Sequence, residues 1–262
     1  MFTIQKLVQP ERLAAAYKIL IERKNNNILG GCAFLRMGSK SIGTAIDLSK
    51  LDLNYIREQD DYIEIGAMTN LREFETHYLF KEYFGGVLGE AVRNIIGVQF
   101  RNIVTVGATV FSKYGFSDVI TALLALDTEV ELYNGGRINL EDFLNMPYEK
   151  DILTRIFIKK NSRKAVYKDF RNAVSDYPIL NVTVSTLKNN WIIVVGARPG
   201  KAAIAKEASK ELSKENLTEE DIDKAADMAS KELAFGTNMR GSGEYRKAMC
   251  KVLVKRAIME VL

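Results

Sequence analysis

Three features of this 262-residue sequence predict an α+β protein in two parts: paired glycines after a short apolar run near residue 30, a second glycine-bearing segment about 75 residues later, and a basic stretch near residue 160 that precedes a small sheet and two helices. The first segment is Ile28-Leu29-Gly30-Gly31-Cys32-Ala33-Phe34-Leu35. The second is Arg101-Asn102-Ile103-Val104-Thr105-Val106-Gly107-Ala108-Thr109, followed by Ser117-Asp118 and the apolar run Val119 to Leu126. Each reads as a strand entering a tight turn, where glycine permits positive φ and leaves no Cβ between backbone N–H groups and a ligand. Two such turns predict a clasp for an anion such as a diphosphate, made by main-chain donors.

The other elements follow in order. Phe2 to Val8 reads as a strand, and Pro10 suits the first turn of a helix carrying Leu13, Ala14, Tyr17, Leu20 and Ile21 at helical spacing. Polar residues 24–27 release the chain into the first glycine turn. Thr44 to Leu48 and Tyr62 to Ile65 read as short strands, and Thr69 or Asn70 caps a helix that begins at Leu71. Residues 83–96 carry a helix-like apolar pattern. Asp118 stands at the start of the next helix, either as its cap or as a ligand-facing carboxylate. Thr128 to Tyr133 meets the turn Asn134-Gly135-Gly136, and Ile152 to Ile158 adds a strand.

The composition shift near residues 159–166 marks the expected boundary, giving domains 1–162, with lobes of about 1–56 and 57–162, and 163–262. The basic run there holds Arg155, Lys159, Lys160, Arg163, Lys164, Lys168 and Arg171; it is a solvated face or, with Tyr167 and Phe170, a binding face. Leu180 to Leu187 and Trp191 to Val195 form a hairpin around Asn189-Asn190, within an expected three-stranded sheet. Thr218 with Asp221 opens a helix as a capping box. The last helix places Tyr245, Ala248, Met249, Val252, Leu253 and Ala257 in a stripe expected to be core.

Composition removes several function classes. The formal charge of +4 arises from 37 basic and 33 acidic residues mixed along the chain, which argues against nucleic-acid binding. No segment reaches the length of a membrane span and the N-terminal stretch lacks a secretory apolar core, so the expectation is a cytoplasmic protein. Two cysteines, Cys32 and Cys250, and one histidine, His77, supply neither a disulfide framework nor a metal site. Cys32, beside the first glycine turn, reads either as a reactive thiol or, the blander alternative, as a small buried one.

These segments resemble the flavin-binding subunit of the molybdenum hydroxylases, the xanthine dehydrogenase and aerobic carbon monoxide dehydrogenase group. Residues 28–34 are similar to that family's Gly-Gly-Thr-Asp-Leu turn, and Tyr62 to Thr69 to its Ile-Gly-Ala-x-Thr strand. Gln99 to Gly107 resembles its Arg-Asn-x-Ala-Thr-(Ile/Val)-Gly-Gly-Asn turn, Ser117-Asp118 with Leu123 to Asp127 its Ser-Asp and leucine-rich continuation, and Met239 to Arg246 its Arg-x-Ser-x-x-Tyr-Arg signature. The likeness spans nearly the whole chain. It implies a two-part FAD-binding domain of the vanillyl-alcohol-oxidase-like (PCMH) type, followed by a small flavoprotein C-terminal domain with a three-stranded sheet and helices. A G-x-G-x-x-G unit with its acidic partner, the mark of a Rossmann fold, does not occur. Cys32-Ala33-Phe34 departs from Thr-Asp-Leu, and Ala108-Thr109 from Gly-Asn.

The resemblance also implies roles. FAD is expected noncovalently between Leu29 to Leu35 and Val106 to Thr109, that is Leu29, Gly30, Gly31, Cys32, Ala33, Phe34, Leu35, Val106, Gly107, Ala108 and Thr109. Ser117 and Asp118 are expected at the ribityl or neighbouring hydroxyls, Leu123 and Leu124 against the flavin, and Lys168 and Asp176 near the isoalloxazine edge. No residue acts on the organic substrate. Molybdopterin and two-iron two-sulfur clusters belong to partner subunits, with NAD as the expected acceptor. The alternatives are a free-standing flavin oxidoreductase and a scaffold subunit that binds FAD weakly.

Overall fold

The computed structural model describes residues 2–262, which group by contact into two compact units. The first comprises residues up to Phe74, Val98–Ser112 and Glu129–Phe157, and the second comprises Glu75–Gly97, Lys113–Thr128 and Ile158–Leu262. Helical segments that the sequence placed with the N-terminal domain therefore group with the C-terminal residues.

In the first unit, strands Thr3–Val8, Ser41–Asp47 and Asn27–Leu29 form a parallel sheet with Ser41–Asp47 in the centre. Parallel neighbours need a crossover, and helix Leu13–Glu22 supplies it. Its Ala16 and Leu20 pack with Ile46, Leu48, Leu53 and Ile152 in a dry cluster. A second sheet orders Ile56–Glu58, Tyr62–Gly66, Leu153–Lys159, Thr128–Leu132 and Gly136–Asn139. Its last two strands are joined through Asn134-Gly135-Gly136, where Asp151 accepts the amides of Asn134 and Gly135 at 3.1 and 2.9 Å. The expected cap before Leu71 is Asn70, whose Oδ1 accepts from the Glu73 amide at 2.8 Å.

Two expectations are corrected here. The second glycine segment is not a strand: Thr105 makes a single bridge to Asn70, and the chain then turns into helix Val106–Phe111, capped by the Thr105 hydroxyl. The 83–96 pattern is not one helix. Tyr78–Phe84 stops at Gly85 and Gly86, both at positive φ, and Val87–Val92 starts afresh, because two successive left-handed residues cannot continue a right-handed helix.

The second unit is built on an antiparallel sheet in the order Ala203–Ile204, Asn190–Gly196, Leu180–Leu187, Lys164–Phe170. Three strands are long and the fourth is a two-residue edge; the basic stretch contributes the strand Lys164–Phe170. Helices Glu219–Glu232 and Gly243–Val261 pack Ile222, Ala225, Ala229, Cys250, Leu253 and Ala257 onto Leu180, Val182, Val184, Ile193 and Val195. The Thr218–Asp221 capping box forms as expected. In the last helix, however, the buried stripe is Arg246, Cys250, Leu253, Val254, Ala257, Ile258 and Val261, while Tyr245 and Val252 face outward. The expected stripe held only part of the inner face, because apolar residues occupy both sides of this helix.

Asp227 ties these two helices through Lys251 and pairs with Lys231 on its own helix; the hydrogen bonds of both lysines hold its carboxyl at about 2. A depressed folded pKa contributes stability above the ordinary Asp value, about 3.9, and loses it as pH falls toward 2. Thermal melts of Asp227→Asn are thus expected to fall less steeply than wild type between pH 4 and 2; equal slopes would show that the pair is energetically silent.

Candidate functional site

The first glycine turn is shaped by close backbone approach. Leu29 ends its strand opposite Asp47, Gly31 follows at φ +79°, and Cys32 at φ 59° leads into the short helix Ala33–Met37. A Cβ on Gly31 would lie 2.6 Å from Val104 Cα, and one on Gly30 would lie 3.0 Å from Thr105 Oγ1 and closer still to the Ala108 methyl. The two glycine segments thus lie in direct contact, as their pairing in the sequence suggested.

Their donors differ. The amides of Gly31, Cys32, Ala33 and Leu35 donate to no acceptor among the described residues. Successive N–H groups around left-handed residues form a concavity that suits a phosphate. In the second segment the amides from Val106 to Thr109 are all in use: Val106 donates to Thr69 O at 2.8 Å, Gly107 to Ala67 O at 2.9 Å, Ala108 to Thr105 Oγ1 at 3.3 Å and Thr109 to Thr105 O at 3.1 Å. The expectation that both turns offer main-chain donors is therefore corrected. Val106, Gly107, Ala108 and Thr109 form a packing wall, with Gly107 required because a Cβ would sit 2.6 Å from Ala67 O.

The electrostatics of the first turn suit an anion. Burial, assisted by Asp47 and opposed by Arg36, raises the Cys32 pKa, so its thiol is neutral at pH 7. With Ala33 where the resembling family has Asp, no acidic side chain within residues 30–35 opposes a phosphate. The turn is anchored from behind. Lys150 Nζ donates to the carbonyls of Leu20, Arg23 and Asn26, and the Asn26 side chain links Ile19 O to the Thr44 amide. Neither anchor was visible in the sequence, since Lys150 lies more than 120 residues from its partners.

In the second unit Ser117, not Asp118, caps helix Asp118–Leu124, its hydroxyl accepting from the Ile120 amide at 3.2 Å. Asp118 is left as the first helical residue, where the helix dipole favours an acid. It is 5% exposed, and its Oδ1 accepts from Tyr167 OH at 2.5 Å, Asn181 Nδ2 at 2.9 Å and Arg171 Nη2 at 2.9 Å. Oδ2 accepts nothing from the described residues. Burial pushes the Asp118 carboxyl upward and Arg171 pulls it back, leaving it raised. Burial and the Asp118 charge keep Tyr167 protonated as a donor. Arg171 also bonds Asp169 and donates to the backbone carbonyl of Asp176 at 2.6 Å.

Three expected roles change with this geometry. Leu123 and Leu124 are 0% and 4% exposed within a helix buried along its whole length, so they pack protein core and present no open wall. Lys168 alternates to the face opposite Tyr167 and pairs with Glu260 at 2.5 Å. Asp176 accepts from its neighbour Tyr177 and from Arg240, at 2.7 and 3.4 Å. The cation beside Asp118 is Arg171, whose place within a basic run concealed it.

Residues 2–160 match the family model described as the FAD binding domain in molybdopterin dehydrogenase, and residues 165–261 match the CO dehydrogenase flavoprotein C-terminal domain. The chain belongs to the FAD-binding subunits of the molybdopterin dehydrogenases. It is an oxidoreductase subunit of the molybdenum hydroxylase type. Among its relatives is the glyceraldehyde dehydrogenase medium chain of Sulfolobus acidocaldarius, 27% identical across 97% of each chain. The nicotine 6-hydroxylase medium subunit of Paenarthrobacter nicotinovorans is 25% identical across 97% of this chain and 96% of its own. In fold, the chain superposes on CO dehydrogenase from Oligotropha carboxidovorans with TM-score 0.89 and 22% identity, covering 99% of this chain and 97% of the other. No helix of the described residues is long and apolar enough to cross a membrane.

Each unit by itself offers groups whose chemistry fits part of an FAD: in the first, the open amides of Gly31, Cys32, Ala33 and Leu35 suit a diphosphate, and in the second, the free Oδ2 of Asp118 suits a hydroxyl.

Proposed function

We propose that this subunit is the flavin relay of a molybdenum hydroxylase, receiving electrons from two-iron two-sulfur clusters on a partner chain and delivering them to NAD in the cytoplasm. The observation that carries the proposal is the set of open amides at Gly31, Cys32, Ala33 and Leu35, which sits in the region matching the FAD-binding family model. Bound FAD supplies the ability to take up electrons singly and to release them as a hydride equivalent. The chain's own residues bind and orient it. The first glycine turn holds the diphosphate without side-chain charge, and Gly107 and Ala108 close the wall behind that turn. Asp118, fixed through Oδ1 by Tyr167, Asn181 and Arg171, offers Oδ2 to a cofactor hydroxyl.

Partners are required by what the chain lacks. Cys32 and Cys250 are two thiols against the four that a two-iron cluster takes. Organic substrate and molybdopterin accordingly belong to a second partner. The medium-chain and medium-subunit designations of the relatives support an assembly of this kind.

The test is mild affinity purification of this chain from its own cells, followed by native mass spectrometry, cofactor release and anaerobic mixing with NADH. Stoichiometric FAD, an iron–sulfur chain, a pterin-bearing chain and bleaching of the flavin by NADH are expected. A monomer that oxidises a small organic molecule with FAD alone would make it a free-standing flavin oxidoreductase. A colourless chain that takes up no flavin would make it a scaffold, a reading favoured by the fully used amides of the second turn.

A further inference from the structure

The strand Thr3–Val8 is exposed along nearly its whole length. It pairs on one side with Ser41–Asp47 and on the other with no strand among the described residues. Helix Leu13–Glu22 packs on the central strand, so both faces of Thr3–Val8 stay open; Ile4 is 40% and Leu7 58% exposed, on opposite faces. Strands of parallel sheets are ordinarily buried on both faces, and exposed edges ordinarily carry a proline, a bulge or several charges. This edge has an unbroken register, no proline and the single charged residue Lys6.

The direction of its backbone groups is fixed by one hydrogen bond. The Thr3 amide donates to Lys40 O at 3.1 Å, toward the central strand, so alternation turns the amides and carbonyls of Ile4, Lys6 and Val8 outward. A second copy related by a two-fold axis normal to the sheet adds its own edge antiparallel, with each face kept on its own side. Even-numbered residues then oppose even-numbered ones. An axis at Lys6 sets lysine directly against lysine, a repulsive arrangement, and an axis at Ile4 pairs only residues 2–6 of the described chain. An axis at Gln5 uses the whole strand: Ile4 meets Lys6 through the outward backbone groups, Phe2 meets Val8, Thr3 meets Leu7, and the lysines stand apart.

We infer that Thr3–Val8 is a contact between two copies of this chain, joining their three-stranded sheets into one continuous sheet across a two-fold axis at Gln5. The inference goes beyond the flavin-relay reading and does not depend on it. The self-matching register selects a second copy over an unrelated strand, since the same six residues supply both sides of every pair.

The test is disulfide trapping of the full chain, purified from its own cells by a mild step through a C-terminal tag. Facing Gln5 residues form a non-hydrogen-bonded pair with Cα atoms about 4.5 Å apart, a separation that a disulfide spans. Gln5→Cys is therefore expected to give a covalent dimer under mild oxidation, with residue 5 linked to residue 5 in the digested peptides. Thr3→Cys is expected to give none, because its two copies lie about 14 Å apart across the axis. By native mass spectrometry the wild type is expected to carry this chain in pairs. Ile4→Pro removes an outward amide and leaves the inner ladder intact, so it is expected to weaken the pair by about tenfold or more. A wild-type particle with one copy, equal trapping at both positions, or a residue-5 linkage to a different chain overturns the inference. If Ile4→Pro does not fold, the trapping comparison decides alone, because both cysteine positions are exposed.

Discussion

Gly31→Val is expected to release FAD from a chain that keeps most of its secondary structure. Gly31 holds φ at +79°, a region that a β-branched residue enters only with strain of about 1–3 kcal/mol. The new Cβ would also press on the backbone of Ile103 and Val104. Relief of either conflict turns the amides of Gly31, Cys32 and Ala33 away from a common centre. A rise of about tenfold to a hundredfold in the FAD dissociation constant corresponds to that strain. Gly107→Val is the informative comparison. Its amide already serves Ala67, and its Cβ would strike Ala67 itself, so this variant is expected to lower the melting temperature first and to lose flavin only as a consequence. Stoichiometric FAD in purified Gly31→Val, with unchanged affinity by fluorescence titration, would remove the first turn from the site.

Asp118→Ala carries the second large effect. Arg171 and Asp118 have side chains 6% and 5% exposed, and breaking a buried pair from one side costs about 3–5 kcal/mol because the remaining charge stays unsolvated. Asp169 still reaches Arg171, which places the loss toward the lower end. Tyr167 and Asn181 each lose their acceptor as well. A clear fall in denaturant midpoint is expected, together with weaker FAD binding from loss of the free Oδ2. Asp118→Asn keeps an acceptor oxygen and similar volume, and is expected to recover part of the binding but little of the ion-pair stability. If Asp118→Ala matched wild type in both midpoint and FAD affinity, the carboxylate would have neither role.

Much of the fold was legible because its signals are local. The capping box at Thr218 and Asp221, the turn at Asn134-Gly135-Gly136 and the strand-to-glycine passage at Leu29-Gly30-Gly31 each depend on residues within a few positions of one another. The order of five short motifs was enough to point to the family. Where local signals were ambiguous the reading slipped: Ser117 and Asp118 are both good caps, and either fits the start of the helix. Only the orientation of the Ser117 hydroxyl toward Ile120 separates them.

By itself the sequence determined the two-part α+β organisation, the flavin-subunit family and the two glycine segments, since these follow from backbone preferences and residue order. Tertiary structure alone decided which donors remain open. The amides of Val106 and Gly107 are taken by Thr69 and Ala67, some 40 residues earlier, a competition no local pattern records. It also decided the fate of the strand Leu180–Leu187, whose alternation suggests one polar, solvent-facing side. Asn181, Thr183 and Ser185 are instead fully buried, with Asn181 bonded to Asp118 and Thr121, and Ser185 to the carbonyl of Ala125. A polar side chain gains its partner from water or from protein alike, so period-two alternation reports that two faces differ in polarity, while only the packed chain determines whether the polar face meets solvent or another element.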